Sequence, residues 1–117
     1  HVRVLDGTKI IFKNSFTSSQ ISEITIPDSV EMIDDAAFAS SISLEHVYFS
    51  EGSKLIVVGS NAFYGCKALR QIILPDSVEH MKSKIFKNSG IKTFTYPDNA
   101  KLMIEDDLFV NCPLKDV

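Results

Sequence analysis

The stretch Ile24-Thr25-Ile26-Pro27-Asp28-Ser29-Val30, with Ile33 and Ala37-Phe38 after it, returns almost unchanged further along the chain. Its second copy is Ile72-Ile73-Leu74-Pro75-Asp76-Ser77-Val78, with Met81 and Ile85-Phe86. Weaker copies lie around these two. Phe16, Phe38, Phe63, Phe86 and Phe109 are spaced by 22, 25, 23 and 23 residues. Five residues before each stands Ile11, Ile33, Val58, Met81 or Ile104, and a second comb runs through Ile21, Leu44, Leu69, Ile91 and Leu114. So many aligned columns establish a repeat of about 23 residues, a period that signals a stacked array.

Each unit opens as apolar-x-x-apolar-x-apolar-Pro, and the alternation puts every second side chain on one face of a strand. Proline then ends the strand, since it has no N–H for the ladder. Asp28-Ser29, Asp76-Ser77 and Asp98-Asn99 follow as turn formers. The Val-x-x-Ile piece reads as extended again. Three residues before the last four phenylalanines stand Asp35, Ser60, Ser83 and Asp106, which suit the start of a short helix. Two residues after each of these four stand Ser40, Gly65, Asn88 and Asn111, where Gly and Asn suit a left-handed exit.

A unit this short cannot bury its own apolar side, but stacked units can. The predicted fold is therefore an α/β solenoid, coiled right-handed. Its parallel strands stack one per repeat, joined by short helical or 3₁₀ turns. Its five repeats fall at 1–20, 21–43, 44–68, 69–90 and 91–113, with a partial unit at 114–117. Extra residues near Ser50-Glu51-Gly52-Ser53-Lys54 and Asn99-Ala100 belong in loops. Neither end carries the polar cap that shields a terminal rung. The expectation is that the single domain 1–117 is part of a longer array, and that uncovered rungs invite end-to-end or edge self-association.

The columns resemble the BspA-like leucine-rich repeats, a pattern of Ile-x-Ile-Pro-x-Ser-Val, Ile-Gly, Ala-Phe and Cys. The matching residues are Ile24 to Val30, Val58-Gly59, Asn61-Ala62-Phe63-Tyr64-Gly65-Cys66 and Ile72 to Val78. Departures are the missing glycine after Ile33, Met81 and Ile104, and Phe86-Lys87-Asn88-Ser89 where cysteine is usual. The resemblance implies a leucine-rich-repeat solenoid, and a cell-surface or secreted protein of bacteria or protozoan parasites. Such proteins are adhesin-like and take protein or glycan ligands of host, matrix or microbial origin.

Composition excludes several other roles. The 117 residues are 44% hydrophobic and 23% charged, with 12 Lys and Arg against 15 Asp and Glu. No apolar run of about 18 residues exists, so this segment holds no transmembrane helix. No basic block exists either, which argues against nucleic acid. No nucleophile–base pair, phosphate loop or cofactor motif is present, so no enzyme and no cofactor are expected. His1, His46 and His80 lack paired metal-ligand spacing. Asp76 and Asp98 share a column on adjacent rungs, where turn chemistry is favoured over calcium. Cys66 and Cys112 share a column two rungs apart, roughly 10 Å. A disulfide needs Cα atoms within about 7 Å, so two free thiols are expected.

Two surface features remain as partner-binding candidates. Along the strand face the outward column is Arg3, Thr25, Tyr48, Ile73 and Thr95, with His46 and Gln71 beside it. Tyr48 and Ile73 are large enough to anchor an interface. A second column, Arg70, Lys92 and Lys115, forms a basic ladder. It reads as a solvated edge or as the footprint of an acidic partner. The function expected is a non-catalytic recognition module. The alternative is a structural spacer that projects another domain.

Overall fold

The computed structural model describes residues 2–114. The chain winds into a solenoid whose rungs pair in parallel, as the repeat requires. One sheet contains Val2–Arg3 (β1), Glu23–Ile26 (β3) and His46–Phe49 (β5). A second contains Ile10–Ile11 (β2), Met32–Ile33 (β4), Val57–Val58 (β6), His80–Met81 (β7) and Met103–Ile104 (β8). The register follows the sequence columns, with Ile24 beside Val47 and Ile33 beside Val58. Each unit therefore adds a rung to the second sheet, from the Val-x-x-Ile piece, and the earlier units add one to the first sheet as well.

The core is the set of columns read from the repeat. Ile24, Ile33, Leu44, Val58, Leu69, Met81 and Ile91 are fully buried. Phe16, Phe38, Phe63, Phe86 and Phe109 form a continuous stack, with centroids 5.1, 5.2, 5.8 and 5.4 Å apart and planes within 11° of parallel. Offset stacking of this kind adds about 0.5–1.5 kcal/mol per pair beyond burial. Tyr96 and Ile104 occupy core columns but are 47% and 45% exposed, because no described rung covers them.

The expected helical turns do not form. Among the described residues there is no helix, and the Ala-Phe segments are stacked turns. The reason lies in where the N–H groups go. Phe16, Phe38, Phe63 and Phe86 donate to carbonyls of the next rung, at Ala37, Ala62, Ile85 and Leu108, over 2.7–2.9 Å. The residues between donate three residues back, as Thr17 does to Asn14 and Ala39 to Ala36. A helix would consume every N–H within the rung and leave the rungs unlinked. The residue two before each phenylalanine is also left-handed, at φ 56–63° for Asn14, Ala36, Asn61, Lys84 and Asp107. That conformation interrupts a right-handed helix.

The residues two after each phenylalanine are left-handed too, as read from the sequence, with Ser40, Gly65, Asn88 and Asn111 at φ 59–70°. Carboxylates of these segments, Asp35 of the expected helix starts among them, cap neighbouring rungs instead. Asp35 Oδ1 accepts from Ser60 N–H at 2.9 Å, and Glu105 Oε1 from Ser83 N–H at 3.1 Å.

Candidate functional site

The second sheet is continuous over five rungs, but the first stops at β5. Residues 69–77 hold the next rung position without forming a strand. Their side chains still alternate, with Gln71 and Ile73 exposed and Ile72 and Leu74 buried. Among the described residues no backbone hydrogen bond joins 46–49 to 69–77. One rung further on, pairing resumes in part through Lys92 N–H to the Arg70 carbonyl at 2.9 Å.

A cleft of about 700 Å³ lies where the pairing fails, in the size range of ligand-binding clefts. One wall is His46, Val47, Tyr48 and Phe49, and the other is Arg70, Gln71, Ile72 and Ile73. A smaller hollow of about 350 Å³ continues it between Ser50–Ser53 and Leu74–Ser77. The two extra residues of the 44–68 unit thus border the opening. Tyr48 and Ile73 are 46% and 71% exposed, and the His46 ring stacks on Tyr48 at 5.7 Å.

Five of the residues singled out from the sequence therefore meet in one place: His46, Tyr48, Arg70, Gln71 and Ile73. Tyr48 and Ile73 were expected on paired strands and instead face each other across a gap. Thr25 pairs with Tyr48 on β3, away from the cleft, and Thr95 lies exposed one rung beyond Ile73. Lys92 is exposed beside Arg70, so two members of the basic ladder are adjacent, whereas Lys115 lies outside the described residues. Sequence reading missed Glu45, Phe49, Glu51 and Asp76 as lining residues. The insertion at Ser50-Glu51-Gly52-Ser53 was the available signal, since an insertion marks a place where adjacent rungs differ.

The remaining candidates serve the fold. Cys66 and Cys112 are both free. Cys66 is buried, its thiol donates to the Phe38 carbonyl at 3.1 Å, and Ser41 in the same column donates to the Phe16 carbonyl at 2.6 Å. Burial pushes the Cys66 thiol up to about 12, against a backbone hydrogen bond from Ser41 that lowers it. A thiol so disfavoured as thiolate is inert at neutral pH. Burial raises the Cys112 thiol as well, opposed by hydrogen bonds from Leu114 and Ser89. Asp76 Oδ1 accepts the Asp98 N–H at 2.8 Å, which is turn chemistry between rungs. Among the described residues no helix is long and apolar enough to cross a membrane.

The family model described as "BspA type Leucine rich repeat region" matches residues 1–117 in six copies. No curated protein matches the chain. Among solved structures, the crystal structure of the pneumococcal vaccine antigen PcpA superposes with a TM-score of 0.81 at 24% identity, over 95% of this chain. The chain spans about a third of that structure, 32% of its length, and the likeness is one of fold.

Proposed function

The chain belongs to the BspA-type leucine-rich-repeat family, and we propose that it is a non-catalytic recognition module of a cell-surface or secreted protein. In this reading it binds a protein or glycan partner through the strand face, adhesin-like, with the cleft beside β5 as the contact. The observation that carries it is the break in the first sheet, where Tyr48 and Ile73 stand 46% and 71% exposed on opposite walls. Large side chains at the centre of a concave surface are where binding energy concentrates. The family supports a surface setting, and the pneumococcal vaccine antigen shares the fold.

The test is binding of the intact protein to immobilised matrix proteins and glycans, before and after the double change Tyr48→Ser and Ile73→Ser. Loss of a bound partner with unchanged thermal unfolding is the expected result. Full binding by the double variant overturns the cleft as the contact. Binding that survives substitution of the entire strand face favours a spacer role.

A further inference from the structure

We propose that the cleft between β5 and residues 70–77 is a strand-addition site. It takes an extended peptide with an acidic residue at one end, a basic residue at the other and apolar residues at alternate positions between. This rests on the recognition reading above and states how that recognition works.

The first argument is the open backbone edge. In a parallel pair, alternate residues of a strand turn their N–H and C=O toward one neighbour, and the rest turn toward the other side. His46 and Ser50 donate to the Ser22 and Ile26 carbonyls on the β3 side, at 3.2 and 3.0 Å. Val47 and Phe49 therefore present their N–H and C=O groups to the cleft. No described residue on the facing wall bonds to them. An exposed strand edge is a template for another strand, and folded proteins ordinarily cover or charge it. An edge that opens into a cleft suits an incoming main chain, which supplies what the edge lacks.

Length along the wall and side chains agree. From Glu45 to Glu51 the wall covers six residue steps, about 20 Å of extended chain, enough for about seven peptide residues. Alternate side chains of an inserted strand would point either toward the buried Ile72 and Val47 or outward between Tyr48 and Ile73.

Charge supplies the polarity. Arg70 lies at one end of the cleft, with Lys92 on the next rung, and Glu51 and Asp76 lie at the other. Glu45 shares the basic end, but it is one carboxylate against two cations. Among the described residues none of these five charges is in an ion pair, the pair formed being Lys9–Glu31 at 3.6 Å. All are exposed, and Asp76, whose Oδ1 accepts the Asp98 N–H, has its second carboxylate oxygen left for a ligand. An acidic group at the Arg70 end and a basic group at the Glu51–Asp76 end complement both.

The probe is a set of heptapeptides of pattern Glu-a-Thr-a-Thr-a-Lys, where a is Val, Ile or Tyr, made in both chain directions. Binding to the full chain is followed by fluorescence anisotropy and by amide hydrogen exchange. A binding member should slow exchange at Val47 and Phe49 and leave His46 and Ser50, already bonded to β3, unchanged. N-methylation of the peptide amides that face β5 should weaken it about tenfold or more, the effect of losing one or two hydrogen bonds. The double change Arg70→Glu and Lys92→Glu should weaken it similarly, with recovery on peptides of exchanged end charges.

Three results overturn strand addition. In one, no member of the set binds. In another, N-methylated peptides bind as well as their parents, which leaves side-chain recognition standing. In the last, Val47 and Phe49 gain protection only as the chain is concentrated, which makes a second copy the occupant. Failure of the recognition reading is separate, since it shows as partner binding that ignores the Tyr48→Ser and Ile73→Ser changes.

Discussion

The two sheets of this solenoid are built from the same repeat, yet one runs unbroken through five rungs and the other opens after three. In the unbroken sheet every rung hands a bond to the next, from Asp34 N–H to the Ile11 carbonyl through to Glu105 N–H to the Met81 carbonyl. Its strands are only two residues long, so they depend on the phenylalanine stack behind them to hold spacing. The interrupted sheet has the longer strands, four residues each in β3 and β5. Strand length therefore does not decide continuity. The break in the first sheet coincides with the junction between the rung carrying two extra residues and the next, a junction that the second sheet crosses intact through β6 and β7.

The contrast predicts that substitutions on the closed side are costly and those on the open side cheap. Phe63→Ala should be the most damaging. Phe63 is fully buried between Phe38 and Phe86, and its removal leaves a void in the middle of the stack. The cost should be about 3–5 kcal/mol, read as a fall in the urea midpoint. A loss under about 1 kcal/mol would show that the stack does not hold the rungs.

Gly90→Ala comes second. Gly90 donates to the Cys66 carbonyl at 3.1 Å, and a Cβ there would run into the Lys67 carbonyl, which is backbone and cannot swing aside. This close approach lies beside the Lys92–Arg70 backbone bond, one rung past the open seam. Overpacking should cost about 1–3 kcal/mol by the same urea titration. If the change also widened the next seam, amide exchange at Lys92 would rise with it.

The third change should stabilise. Lys84 is exposed and left-handed at φ 59° in the phenylalanine segment. Lys84→Asn keeps the backbone hydrogen bond and relieves the conformation, for a gain of about 0.5–1 kcal/mol, visible as a raised Tm. Ala36, left-handed at φ 56°, should respond to glycine in the same direction.

The Lys84 position also shows what could be read in advance. The columns of the core were legible because burial acts on side chains, and side chains carry the period. The left-handed positions two after each phenylalanine were legible at Gly65, Asn88 and Asn111, since those residue types favour that region. At the matching positions two before it the signal is mixed: Asn14, Asn61 and Asp107 favour that region, but Ala36 and Lys84 do not. The helical turns were misread for a related reason. Capping residues mark N–H groups in need of an acceptor, and Asp35 serves Ser60 of the next rung, a partner that local spacing does not reveal. The open seam was hidden most completely. Gln71, Ile72, Ile73 and Leu74 alternate as a strand would, so periodicity reported which way side chains face and was silent on whether the backbones pair.

Ile73→Ser is the smallest expected effect on stability and the sharpest probe of the contrast. Ile73 is 71% exposed, lies outside any strand and touches the cleft rather than the core. Its replacement should change unfolding free energy by no more than about 0.5 kcal/mol, the ordinary range for a surface site. Were residues 71–74 instead a regular fourth strand packed against β5, loss of an apolar side chain beside Tyr48 would remove a cross-strand contact. The variant would then be measurably less stable. A neutral urea midpoint, together with weakened binding of a partner or of the Glu-a-Thr-a-Thr-a-Lys peptides, separates the two faces by role. The closed sheet then holds the array together, and the open seam is free to engage something else.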